Sequence, residues 1–238
     1  HETLQVLNEV KTTLGIVENK KNKPQIIPIK LLKIASVIIS VLLLTGSVYF
    51  FYYWENTVEY TTLNGEIRKI DLPDGSKVWL NAGSVISYKK NDKNRNRTVK
   101  LSGEAFFVVE PDSLRPFVVE TGIITTEVLG TEFNIEDYPD NPKTIATLHS
   151  SKIKVYLSGD KKDFYFLKPD QQIVDNPSSG IEIQQVYADE IKSWKDGNLV
   201  FYDLSLIEII HKLERHFDMR ITVHNLNNYS DYYTIKFI

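Results

Sequence analysis

The sequence predicts a membrane-anchored chain: one transmembrane helix, then an all-β domain and a small, partial α/β module. Three observations carry that reading. Ile34 to Trp54 is a run of 21 residues without a charge, which at ~1.5 Å rise per residue crosses a ~30 Å hydrocarbon core. From about Glu66 to Ile183, short alternating runs are separated by turn-forming residues. Between Gly197 and Ile238 a strand-like run is followed by helical spacing and then by strand-like runs again.

At the N-terminus, Leu4, Leu7, Val10, Leu14 and Val17 recur three or four residues apart, the pattern of an amphipathic helix whose stripe needs a partner. Lys20–Lys23 with Pro24 reads as a linker into the span. Residues 1–33 carry six Lys/Arg against three Asp/Glu, whereas Glu55 and Glu59 are the first charges after the span. Basic flanks favour the cytoplasmic side, so residues 1–30 are read as a cytoplasmic tail and 31–54 as the membrane helix. The aromatic run Tyr49–Trp54 suits the outer lipid–water boundary. A cleaved secretory signal fits less well. Its basic region would exceed 30 residues, and Thr45-Gly46-Ser47 lies inside the apolar run.

Residues 55–65 are read as a linker and 66–185 as the all-β domain. Val78 and Leu80 alternate with Trp79, and Ile153, Val155 and Leu157 alternate with Lys152 and Lys154. Phe106 with Val108 and Phe107 with Val109 fill both faces of one run, which predicts a strand buried on both sides. Pro73-Asp74-Gly75, Asn81-Ala82-Gly83 and Lys168-Pro169-Asp170 supply turns. Periodicity leaves a sandwich and a short solenoid equally open. Residues 186–238 are read as the α/β module: strand Gly197–Tyr202, a helix with Leu206, Ile209, Ile210, Leu213 and Phe217 on one face, then strands Met219–His224 and Tyr232–Ile238. Ser205-x-x-Glu208 fits a capping box at the helix start.

The chemistry of an enzyme is missing. The chain has no cysteine, no phosphate-binding loop, no HExxH and no GxSxG. His211 and His216 are five apart on the helix, too far round it to chelate one metal, and His149 and His224 read as strand residues. No cofactor is expected. The region after residue 33 is acidic, with 22 Lys/Arg against 28 Asp/Glu, which argues against nucleic acid as a partner. Lys89, Lys90, Lys93, Arg95 and Arg97, interleaved with asparagines, read as a solvated hairpin loop in preference to an anion or glycan contact.

Four blocks in order carry a resemblance: Leu72–Ser84 (LPDGSKVWLNAGS), Leu101–Val109 (LSGEAFFVV), Arg115–Thr121 (RPFVVET) and Val128–Ile135 (VLGTEFNI). They resemble the periplasmic domain of the FecR family of anti-sigma factors, over about residues 60–185. The stretch from Trp194-Lys195-Asp196-Gly197 to Phe217 looks like the family's C-terminal module, akin to the short domain of secretins and TonB-dependent receptors. Ser151 stands where the family usually has Gly, and Asp170 where Pro-Gly is common.

The resemblance implies a single-pass protein of a Gram-negative inner membrane with its C-terminal domains in the periplasm. It implies two partners: an extracytoplasmic-function sigma factor on the cytoplasmic side, bound through a helical domain of which only the end would be present, and the signalling domain of an outer-membrane TonB-dependent transporter, bound by a C-terminal module that continues past Ile238. A periplasmic adaptor without sigma regulation is the alternative. The resemblance also marks Gly130-Thr131 as a self-cleavage candidate, in which the Thr131 hydroxyl attacks the Gly130 carbonyl and the resulting ester hydrolyses. The competing reading is a bulge in which Gly130 takes a positive φ and Thr131 opens the next strand.

Overall fold

The computed structural model describes residues 2–15, 29–54, 57–90, 97–157, 162–224 and 231–237. The chain divides into two compact units, His1–Tyr52 and Tyr53–Ile238. In the first, α1 spans Glu2–Thr13 and exposes Val6 and Val10, with Leu14 exposed in the turn that follows. The linker Lys20–Lys23 and Val17 of the expected stripe lie outside the described residues.

Helix α2 spans Ile29–Trp54 and contains a 20-residue stretch, Leu32–Phe51, that is long and apolar enough to cross a membrane. Its Leu42, Leu43 and Leu44 are each more than 60% exposed, an apolar surface that calls for lipid. Ser40 and Thr45 donate their hydroxyls to the carbonyls of Ser36 and Val41, both at 2.8 Å, which satisfies polar groups that lipid cannot.

The second unit opens on strand β1 (Thr57–Thr61), which pairs antiparallel with β4 (Val85–Lys89). The stretch expected as a linker over 55–65 thus holds a strand, because Val58 and Tyr60 turn to the core side and Tyr60 stacks near Tyr88. Thirteen strands form one sheet that curls into two layers. The first layer runs β1, β4, β5 (Arg97–Val108), β6 (Phe117–Glu120), β7 (Ile124–Val128), β10 (Ile153–Leu157), β11 (Phe164–Leu167). The second runs β2 (Arg68–Asp71), β3 (Lys77–Leu80), β5, β8 (Glu132–Asp137), β9 (Thr144–Ser150), β12 (Gln171–Asn176), β13 (Gly180–Gln185). The two layers enclose one apolar core, to which both contribute.

Strand β5 belongs to both layers. Its first half pairs with β4 and β6, its second with β3 and β8. The bend falls at Gly103, whose φ is +105° and where a Cβ would lie 2.3 Å from Ser84 Oγ. The closeness is used: Ser84 Oγ accepts the Glu104 amide at 2.9 Å. Beyond the bend, Phe107 points between the layers and stacks on Phe133 with centroids 4.9 Å apart. Phe106 points outward against Trp79 and His149. The double burial expected of this run is present, with two different neighbours on its two sides.

After β13, Asp170 anchors the next segment: its carbonyl accepts from the Val186 amide at 2.8 Å and its Oδ1 from the Ala188 amide at 3.2 Å. There follow α3 (Ala188–Ile191), a 3-10 turn over 192–196 that ends on Gly197 at φ +87°, β14 (Leu199–Ser205), α4 (Leu206–Phe217) and β15 (Tyr232–Phe237). The capping box is formed: Ser205 Oγ accepts the Glu208 amide, and Glu208 Oε2 accepts the Ser205 amide at 2.9 Å. The strand expected at Met219–His224 is not formed. Asp218 takes a left-handed cap at φ 49°, and the Met219 and Ile221 amides return to Glu214, which spends donors that a ladder would need. β15 pairs directly with β14.

Candidate functional site

The module rests on the outer face of the second layer, and the contact is built from charge. Glu104 on β5 and Glu136 on β8 are direct register partners, and like charges so opposed destabilise a bare sheet. Lys212 of α4 answers them, with Nζ 2.7 Å from Glu136 Oε2. Asn81 and Asn134 donate their amides to the two Glu104 oxygens at 2.8 and 2.9 Å. Asn134 Oδ1 in turn accepts from the Trp194 indole at 3.2 Å. Burial raises the Glu104 carboxyl above its ordinary range; Lys212 opposes the rise and Glu136 adds to it. Burial alone would lower Lys212, yet attraction to Glu136 and Glu104 carries it above the usual lysine value.

Two further sets of contacts fix the docked position. Lys143 meets Glu208 at 2.7 Å, and Arg215 meets Asp140 at 2.9 Å while its guanidinium lies 3.7 Å over the Tyr138 ring. The Gly65 amide donates to the Arg215 carbonyl at 2.7 Å, which satisfies one orphan group of the helix C-terminus. At the other end, Asp189 Oδ1 lies 2.6 Å from His149 Nε2 and 2.7 Å from Lys192 Nζ. Those two partners hold the Asp189 carboxyl down, at about 2.

Helix α4 is therefore used on both sides. Glu208, Lys212 and Arg215 are spaced i, i+4, i+7 and so share one face, the one docked on the β domain. Its other face sends Ile209 and Leu213 to β14 and β15, where Leu199 and Phe201 complete a small core. Among the described residues that core has only three buried side chains, too few for an independent fold of this size, so docking supplies much of the module's stability. A cavity of about 120 Å³ remains between the parts, lined by Glu104, Glu136, Trp194, Phe201 and Lys212. Glu136 Oε1 has no hydrogen-bond partner. Away from this joint the module exposes Tyr232, Tyr233 and Phe237.

The comparisons with known proteins agree with this architecture. The family model for FecR protein matches residues 58–154. Two crystal structures of a candidate anti-sigma factor from Parabacteroides distasonis, at 2.50 and 1.65 Å resolution, each superpose with a TM-score of 0.71 at 30% identity, over 76% of this chain and 84% of that one. The chain belongs to the FecR family of anti-sigma factors. No curated protein sequence matches it.

Within this FecR-family fold, Gly130 and Thr131 form the corner between β7 and β8. Gly130 has φ +151°, and a Cβ there would stand 2.7 Å from Pro111 Cα. Thr131 is buried, and its hydroxyl donates to the Lys152 carbonyl at 3.1 Å. That geometry places both residues where the chain crosses from one layer to the other. His211 faces Asp140 at 3.9 Å, and His216 packs edge-on against Phe217. Residues Lys93 and Arg95 of the basic loop lie outside the described residues. The joint residues Glu104, Glu136, Lys212 and His149 were not legible as a site from the sequence. The clue was a charge placed inside an apolar strand at Glu104.

Proposed function

We propose that this FecR-family protein relays the state of an outer-membrane TonB-dependent transporter to an extracytoplasmic-function sigma factor. α2 spans the inner membrane of a Gram-negative cell with the N-terminus in the cytoplasm, in accord with the lysines before it and the glutamates after it. The exposed Val6 and Val10 of α1, with Leu14 just after it, lie on the sigma factor's side. The C-terminal module takes the transporter's signalling domain.

One observation carries the reading: a module with a core too small to stand alone is held on the β domain by a buried ionic joint, while its strands keep open edges and exposed aromatics among the described residues. A partner that adds a strand to such an edge supplies backbone hydrogen bonds and apolar cover. It also competes with, or reinforces, this joint, and a relay requires an element whose docked and released states such a partner biases.

Affinity capture of the complete native protein from detergent-solubilised membranes, followed by mass spectrometry, tests the proposal. Recovery of both a sigma factor and a TonB-dependent transporter is expected. Recovery of the transporter without a sigma factor, in inducing and non-inducing growth alike, would replace the relay with an adaptor.

A further inference from the structure

A second cavity, of about 180 Å³, opens at the far end of the first layer, between the β2–β3 turn and the ends of β4, β5 and β6. Its lining holds the apolar Leu72 and Phe117 together with Lys90, Arg97, Arg115 and the carboxylate of Asp74.

Arg97 is the built part of this site. Its side chain is only 9% exposed. Nε donates to the Arg115 carbonyl at 3.0 Å, and Nη1 donates to Asp74 Oδ2 at 2.9 Å and to the Glu110 carbonyl at 2.7 Å. These bonds fix the guanidinium plane. Nη2 is buried and has no hydrogen-bond partner, a state that costs free energy until an acceptor reaches it. Arg115, tied at Nε to Asp112 at 2.8 Å, keeps its side chain 60% exposed at the rim, and Lys90 is exposed beside it.

We propose that this cavity is an oxyanion site that takes one phosphate group. Charge-assisted hydrogen bonds from guanidinium and ammonium groups to phosphate oxygens are strong, and Arg97 Nη2, Arg115 and Lys90 offer donors to several oxygens of one group. The volume sets the size of the guest. It falls below the roughly 300–1,000 Å³ of pockets that enclose a whole small ligand, so the site holds a head group whose remainder stays outside. Two sources supply such a group. Thr57, the register partner of Lys89, follows the end of α2 by three residues, which makes a membrane phospholipid one source; a phosphate ester in solution is the other.

Titration of the full-length protein in phosphate-free maltoside micelles tests the site, read by calorimetry and native mass spectrometry. sn-Glycerol 1-phosphate and phosphatidylglycerol are the two probes, with glycerol as the uncharged control. Arg97 also holds the turn together, so the variant used is the rim double Lys90→Glu/Arg115→Glu. Saturable binding of one phosphate ligand per chain is expected, weakened about tenfold in the double variant. Saturation by glycerol phosphate identifies a soluble source; saturation by phosphatidylglycerol alone identifies the lipid. Failure of both probes to saturate, or equal binding by the double variant, would overturn the proposal.

Discussion

Lys212→Ala leaves Glu104 and Glu136 facing each other without the ammonium that reconciles them. Loss of one partner from a buried ionic set costs ~3–5 kcal/mol, and the lysine's partial exposure (21%) places this case at the low end, about 3 kcal/mol. Hydrogen exchange on the intact chain should show faster exchange in β14 and α4 with little change in β5 to β8. Phe107→Ala strikes the other side of the same strand: it empties a fully buried site stacked on Phe133 and should destabilise the β domain by about 3–5 kcal/mol in thermal unfolding. At Gly130-Thr131 the hydroxyl is already donated to the Lys152 carbonyl. A denaturing gel should therefore show one full-length band, unchanged in Thr131→Ala; two fragments that vanish in Thr131→Ala would assign that hydroxyl as a nucleophile. The apolar half of these residues was readable, because alternation announces burial. The joint was not, because Glu136 and Lys212 are 76 positions apart and nothing local links them.

At the scale of elements, the layer crossings explain the turn chemistry. Gly103, Gly130, Ser151 and Asp170 each have positive φ, and each lies where the chain passes from one layer to the other. Ser151 and Asp170, at φ 69° and 61°, thus adopt the conformation glycine takes most readily. Ser151→Gly should stabilise the domain by about 0.5–1 kcal/mol, measured as a raised unfolding midpoint. Asp170 differs, since its side chain also holds the Ala188 amide. The strand mis-assigned at Met219–His224 has a related lesson: its pattern is strand-like, but Glu214 and the Asp218 cap take its first donors. Docking of α3 and α4 has a pH signature. Asp189 and Glu208 both have lowered carboxyl values. Their contribution is complete above their unfolded range of ~4 and is lost as pH falls through the folded values, for Asp189 about 2. Glu104, raised by burial, has the opposite sign and softens that loss. Trp194 emission should shift red between about pH 4 and pH 2, and the shift should be absent in Trp194→Phe.

Over the whole molecule, an apolar helix, a two-layer β domain and a weakly cored module follow one another along the chain. The order of these parts was legible from hydrophobic period alone, and the anti-sigma role from four short blocks that serve as corners and core. What the sequence could not convey is that the polar face of α4 belongs inside. A helix with Glu208, Lys212 and Arg215 on one side reads as solvated until a sheet offers Lys143, Glu136 and Asp140. In the proposed relay, this joint transmits the signal. The most direct measurement is a reporter of the cognate sigma factor in cells carrying Lys212→Ala, at wild-type protein abundance, with and without the inducing substrate. Output fixed at one level in both conditions is the expected result. A response to the inducer as large as that of the wild-type protein would contradict the account.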